Sequence, residues 1–157
     1  MIKEIRGNLL EAKAEALVNA VNCVGVMGKG IALQFCQMFS EDYFRDYKRA
    51  CQNGDLKIGK VHVYDIAKTR PLPQAVLPRF IINFPTKNHC REKSRIEYVE
   101  SGLQSLVQTV KTHEIESIAM PALGCGLGGL DWGEVKPLIE KAFVPISNTE
   151  LLLFPPN

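Results

Sequence analysis

Ala16-Leu17-Val18-Asn19-Ala20-Val21 runs directly into Asn22-Cys23-Val24-Gly25-Val26-Met27-Gly28-Lys29-Gly30, and then into the apolar stretch from Ile31 to Phe39. A short apolar run, a glycine-rich loop and a helical pattern, in that order, make a strand–loop–helix unit. Continuous apolar runs of this length suit strands buried on both faces of a sheet. Glycine lets backbone approach a ligand closely, and N–H groups exposed at the start of a helix bind phosphate. A second loop of the same kind, Gly124-Cys125-Gly126-Leu127-Gly128-Gly129, follows the apolar run Ser117–Met120. Two such loops in one small domain point to a ligand held from both sides, and a diphosphate fits.

Working outward, strands are expected at Ile2–Arg6, Ala16–Val21, Val61–Ile66, Phe80–Phe84, Ser117–Met120 and Leu151–Phe154. Helical patterns lie between them. Gly30 to Phe39 is apolar on most sides and is expected to be well buried. Glu41 to Gln52 is more polar and stops at Asn53-Gly54. Ser94-Arg95-Ile96-Glu97 reads as a capping box opening a helix with Ile96, Val99, Leu103, Leu106, Val107 and Val110 on one face. Asp131 is placed to cap the last helix, where Pro137 is awkward because it lacks an N–H. Strands alternating with helices indicate an α/β layer fold with a largely parallel sheet. Lys68 to Pro78 carries Pro71, Pro73 and Pro78 and reads as an excursion loop. The tail Phe154-Pro155-Pro156-Asn157 reads as the start of a linker.

The 157 residues, 46% hydrophobic and 23% charged, fit a single domain over residues 1–157 with a full-sized core. No apolar run approaches the ~20 residues of a membrane span. The start, Met1 to Arg6, lacks the layout of a signal peptide, so a cytoplasmic location is expected. The five cysteines, Cys23, Cys36, Cys51, Cys90 and Cys125, are widely spaced with no CxxC pair. That argues against a disulfide framework or a zinc site. Cys36 is expected in a core helix. Cys23 and Cys125 sit inside the glycine loops, where a small side chain suffices and a nucleophilic thiol would need a base that neither has nearby in sequence. His62, His89 and His113 show no metal-ligand spacing, and no metal is expected. The net charge of +2 implies no nucleic-acid partner by itself. Its distribution is uneven: Lys87, His89, Arg91, Lys93 and Arg95 alternate through one stretch against only Glu92. That stretch is either a solvated loop before a helix or an anion-facing patch.

In open α/β sheets ligands bind at the carboxyl ends of strands. The loops leaving strands there are Asn22–Gly30, Pro85–Ser94 and Pro121–Leu130. A P-loop would need GxxxxGK[ST]; Gly28-Lys29 is followed by Gly30, and Cys23 stands five residues before Gly28, so the match fails twice. Gly124-x-Gly126-x-x-Gly129 satisfies the dinucleotide pattern. Glu150, the acid at about the right distance beyond it, starts the following strand rather than ending it, and the reading fails. A phosphate cradle built from both loops survives, with Lys29 adding a charge. Asn22, at a strand end, either reads ribose hydroxyls or fixes the turn through a local side-chain bond.

Gly7-Asn8-Leu9-Leu10, Asn19-Ala20-Val21-Asn22, Met27–Ala32 and Pro121-Ala122-Leu123-Gly124-Cys125-Gly126 together resemble a macrodomain. The resemblance implies a three-layer α/β/α sandwich, with a mixed, largely parallel sheet of about six strands, that binds ADP-ribose. The likeness is greatest to the branch of DNA ADP-ribosyl glycohydrolase antitoxins and the related human terminal ADP-ribose glycohydrolase. It rests there on Asn22–Gly30, Phe84-Pro85-Thr86-Lys87 and Gly128-Gly129-Leu130-Asp131-Trp132. By this resemblance the diphosphate is held by Gly28, Lys29, Gly30 and Ile31 and by Gly124, Cys125, Gly126 and Leu127. Asn22 meets the distal ribose, Thr86 lies in the same pocket, and Asn8 and Leu9 meet the adenine. Most of the family has Asp where this chain has Asn8; an amide carbonyl still accepts from the adenine amino group, without charge.

Lys87 matches the catalytic lysine of that branch. A lysine amine is a good nucleophile toward a sugar carbon when it is neutral, and the cations around Lys87 favour that form. The resemblance implies that Lys87 attacks C1″ or assists opening of the ribose. The human branch member pairs its lysine with an aspartate in the second glycine loop, where this chain has Gly128; Asp131 is the nearest acid and reads as the helix cap. The implied function is an ADP-ribosyl glycohydrolase acting on thymidine-linked ADP-ribose on DNA, without a cofactor, as antitoxin to a cognate DNA ADP-ribosyltransferase. His89, Arg91, Lys93 and Arg95 are then candidate DNA contacts. The alternatives are an ADP-ribose-binding module without turnover, and a hydrolase of ADP-ribose derivatives on protein or free metabolite.

Overall fold

The computed structural model describes residues 1–69 and 76–157. Six strands lie among them: β1 (Ile2–Glu4), β2 (Ala16–Asn22), β3 (His62–Asp65), β4 (Phe80–Lys87), β5 (Ser117–Pro121) and β6 (Glu150–Phe154). They form one sheet in the order β1-β6-β5-β2-β4-β3. Only the β3–β4 pair is antiparallel. Helices α1 (Gly30–Met38), α2 (Glu41–Asn53), α3 (Ile66–Thr69), α4 (Ile96–Thr112) and α5 (Trp132–Ala142) complete the described chain with two short 3-10 turns. No helix among the described residues is long and apolar enough to cross a membrane.

The three layers follow from strand alternation, which sends successive side chains to opposite faces. Ala16, Val18, Phe80, Ile82, Ile118, Met120, Leu151 and Leu153 point to one side and pack with Val99, Leu103 and Leu106 of α4 and Val135 and Ile139 of α5. Leu17, Val21, Ile81, Ala119 and Leu152 point to the other and pack with Phe35 of α1 and Tyr43 and Tyr47 of α2. Helices on both faces explain why the inner strands read as unbroken apolar runs.

Helix α4 approaches the sheet closely at Gly102. A methyl group there would stand 2.6 Å from a ring carbon of Phe84, which is fully buried. Overpacking of this kind costs about 1–3 kcal/mol. Gly102→Ala is therefore expected to lower the unfolding free energy by that amount in urea titrations, although alanine is the better helix former.

Three local expectations need correction. The capping box is absent: α4 is preceded by Arg95 without a side-chain cap, and the Ser94 hydroxyl has no hydrogen-bond partner among the described residues. Ser94 instead lies buried against the second glycine loop, its N–H donating to the Gly128 carbonyl at 3.0 Å. Helix α1 is less buried than its composition implies; only Ala32 and Phe35 are inside, and Met38 is exposed. The proline-rich excursion begins with Lys68 and Thr69 inside α3, and residues 70–75, which include Pro71 and Pro73, lie outside the described residues. Asp131 caps α5 as expected, accepting from the Gly133 N–H at 3.3 Å. Pro137 sits within α5 on its exposed side, so the carbonyl of Gly133, itself exposed, is left to water.

Candidate functional site

Strands β5, β2 and β4 are neighbours and run parallel, so their carboxyl ends meet along one edge. The second glycine loop leaves β5, the first leaves β2, and the basic stretch leaves β4. The two glycine loops touch: a methyl at Gly30 would stand 3.3 Å from Cδ1 of Leu127, a side chain that is otherwise exposed. The N–H groups of Gly28, Lys29 and Gly30 have no partner among the described residues, and neither do those of Gly126, Leu127 and Gly128. Helix α1 starts without a side-chain cap or an acid in its first turn, whereas α2 starts with Ser40 as cap and Glu41 and Asp42 behind it. An uncapped helix start facing a second set of free N–H groups accommodates a diphosphate. Ile31, half-buried, follows in the first turn of α1.

The register of β2 against β4 places Lys87. Val21 pairs with Pro85, but Asn22 pairs with Lys87, a slip of one residue that passes over Thr86. Lys87 is half-buried and takes part in no ion pair among the described residues. Thr86 is buried. Asn22 is engaged locally: its Oδ1 accepts from the N–H of Val24 at 3.1 Å and of Val26 at 3.4 Å, and its amide donates to the Val26 carbonyl at 2.7 Å. This is the turn-fixing arrangement, and it leaves one amide hydrogen for a ligand. On the β1 side of the sheet, Oδ1 of Asn8 caps the 3-10 turn Leu9–Glu11 through the Leu10 N–H at 3.0 Å. Asn8 remains exposed, with a second lone pair and its amide group available, whereas the Leu9 side chain is buried.

The structure also explains the missing acid. A side chain at Gly128 would begin 2.5 Å from the Gly124 carbonyl oxygen and 2.8 Å from Cβ of Ser94, with the Ser94 hydroxyl nearer still. The second loop is folded too tightly there for any residue but glycine. Burial raises the thiols of Cys23 and Cys125 to about 11, with Cys51 and Asp131 respectively adding to the shift. Neither is a ready nucleophile at neutral pH. Of the basic stretch, Arg91, Lys93 and Arg95 are exposed, and His89 is half-buried with Nδ1 accepting the Arg91 N–H at 3.1 Å. Lys93 lies along the second loop, its amine 3.5 Å from where a methyl at Gly129 would stand.

Sequence reasoning missed a polar row beneath the site. Asn19 and His62 both pair with Asn83 across β2, β4 and β3, and Tyr43 of α2 donates to Asn83 at 2.6 Å and accepts from Asn19 at 2.8 Å. His62 Nδ1 lies 3.2 Å from the Asn83 amide, and its Nε2 lies 3.1 Å from Asp46. Burial holds this imidazole below its ordinary range although Asp46 pulls the other way. Tyr47, also on α2, bonds to Asn22. The signal was weak because Tyr43 and Tyr47 look like ordinary core aromatics at helical spacing. A separate cavity of about 520 Å³, lined by Asp46, Arg49, His62, Asp65, Arg79 and His113 among others, lies near Glu15 and Phe80 at the amino ends of β2 and β4. Asp46 and Asp65 are already paired with Arg49, His62 and Arg79, Glu15 accepts the Glu116 N–H, and the cavity lies at the opposite strand ends from the free N–H groups, so the candidate site is the loops.

The Macro domain family model matches residues 18–139. A DNA ADP-ribosyl glycohydrolase from Thermus aquaticus is 50% identical over 99% of this chain, which spans 41% of that relative's length. The macrodomain of Mycobacterium tuberculosis DarG superposes with a TM-score of 0.92 at 44% identity, covering 100% of this chain and 99% of that one. Thermosipho africanus DarTG in complex with ADP-ribose superposes at 0.88 and 33% identity, over 99% of this chain and 41% of that one. With the mixed six-stranded sheet, the paired glycine loops and these likenesses, the chain belongs to the macrodomain family.

Proposed function

We propose that this chain is an ADP-ribosyl glycohydrolase that removes ADP-ribose from thymidine-linked adducts on DNA, and that it acts in the cytoplasm as antitoxin to a cognate DNA ADP-ribosyltransferase. One observation carries the reading: the slipped register sets Lys87 opposite Asn22, next to two loops whose N–H groups have no partner among the described residues and can hold a diphosphate. The diphosphate lies on Gly28–Gly30 and Gly126–Gly128, adenine extends toward Asn8, and the distal ribose sits between Asn22 and Lys87. The Lys87 amine nitrogen forms a bond to C1″ as the bond from C1″ to the base nitrogen breaks. The base nitrogen takes up the proton that the alkylated amine loses, and water then adds at C1″, releasing ADP-ribose and returning the amine. The Thermus relative, a DNA ADP-ribosyl glycohydrolase, and the Thermosipho relative, a fusion of a DNA ADP-ribosyl transferase with a DNA ADP-ribosyl glycohydrolase, support DNA-linked ADP-ribose as substrate and a transferase as partner. The exposed cations Arg91, Lys93 and Arg95 supply phosphate contacts beside the reacting residue.

Release assays with thymidine-linked, glutamate-linked and serine-linked ADP-ribose in parallel test this. Turnover is expected on the DNA adduct alone. Binding to it should weaken with salt by a log–log slope of roughly −0.7 to −0.9 for each phosphate contacted. Equal turnover of the protein-linked substrates would overturn the DNA reading. The absence of an acid at Gly128 favours one rival, an ADP-ribose reader, and binding without release on all three substrates would establish it.

A further inference from the structure

Helix α2 supports the first glycine loop from beneath. Tyr47 is fully buried, and its hydroxyl lies 2.8 Å from the Asn22 carbonyl and 2.9 Å from Asn22 Oδ1. One turn later the Cys51 thiol lies 4.0 Å from the same carbonyl. Lys48 packs against the loop as well: a side chain at Gly25, where φ is +82°, would start 3.1 Å from Lys48 Cγ. Of the groups that bond the Asn22 side chain, Val24 and Val26 belong to the loop itself and move with it. Tyr47 is the group that ties the side chain to the body of the protein.

The loop itself decides which end of the amide faces which way: a flipped amide would set its N–H groups against the Val24 and Val26 N–H groups. The single Tyr47 hydrogen is shared between the Asn22 carbonyl and Oδ1, so Tyr47 anchors the position of Asn22 from outside the loop.

We infer that Tyr47 is a positioning residue for the distal ribose: it holds Asn22, and through Asn22 the first glycine loop, in the geometry that sets the sugar beside Lys87. This rests on the reading of Asn22 as the ribose contact. Tyr43 provides a matched control, since it lies on the same helix, is equally buried, and spends its hydroxyl on Asn19 and Asn83 rather than on Asn22.

The test compares Tyr47→Phe, Tyr43→Phe and Asn22→Ala for ADP-ribose affinity by calorimetry, kcat on the thymidine-linked substrate, and melting temperature. Tyr47→Phe keeps the ring and its packing. It is expected to weaken affinity and kcat roughly tenfold, the scale of one buried hydrogen bond. Tyr43→Phe is expected to lower the melting temperature while leaving kcat unchanged. On an Asn22→Ala background, Tyr47→Phe should cost less kcat than on the parent, because only the bond to the backbone carbonyl at position 22 is left to lose. If Asn22→Ala binds and turns over like the parent, the ribose contact itself is wrong. If Asn22→Ala is impaired but Tyr47→Phe is not, the positioning role is overturned and the site stands. Tyr47→Phe keeps the buried ring, and a melting temperature close to the parent's shows that a loss of affinity is local rather than a failure to fold.

Discussion

Lys87→Ala is expected to slow release of ADP-ribose from modified DNA by roughly 10³-fold or more, the scale of a lost acid–base group and a lower bound for a lost nucleophile. Affinity for free ADP-ribose should stay close to that of the parent. On the proposed reading the diphosphate is held by backbone N–H groups of two loops, and Lys87 belongs to neither; it stands at the end of β4. The melting temperature should also be preserved, because the half-buried side chain anchors no ion pair among the described residues. Single-turnover release and calorimetry on the same preparation separate the two effects. Undiminished release would remove Lys87 from the mechanism, whereas lost binding with lost release would make it a ligand contact rather than the reacting group.

Gly128→Asp is expected to fail as a repair. The substitution supplies the acid that a branch relative carries in its second loop, so a purely chemical view predicts faster release. The backbone forbids it: the new Cβ would meet the Gly124 carbonyl, Cβ of Ser94 and the Ser94 hydroxyl. Relieving that overlap displaces the loop whose N–H groups face the diphosphate. Overpacking of about 1–3 kcal/mol corresponds to a loss of roughly 5- to 150-fold if the displacement is felt in ligand binding. The carboxylate would also repel the phosphates. ADP-ribose affinity measured by calorimetry is therefore expected to drop by about two orders of magnitude, with release falling alongside. Improved kcat with intact affinity would show that the loop refolds to accept the side chain.

The sheet was legible because its inner strands are buried on both faces and so carry an uninterrupted apolar signal, as at Ala16–Val21 and Phe80–Phe84. The glycine loops were legible for the opposite reason: composition is distinctive where backbone must approach a ligand. Two kinds of information were not. Ser94 has the spacing of a helix cap from Glu97, and local sequence offers no hint that its partner in space is Gly128, 34 residues later. Tyr47 reads as one apolar position of an amphipathic helix, and only the tertiary structure shows that its hydroxyl reaches Asn22. The choice between a ribose contact and a turn-fixing role for Asn22 was open in sequence because a single amide serves both; the bonds to Val24 and Val26 show the second directly.

The one-residue slip between β2 and β4 has a consequence for how this architecture diversifies. Side chains on a strand change face at every step, so restoring the regular register would set Thr86 rather than Lys87 opposite Asn22. The cores on either side of the sheet would not register the change, since the slip occurs after the last core residue of β4, Phe84. On the proposed mechanism the loops specify binding and the terminus of β4 specifies turnover. On that mechanism a lineage gains or loses hydrolysis by a local adjustment of a few residues at that terminus, while the glycine loops and the core of the domain stay as they are.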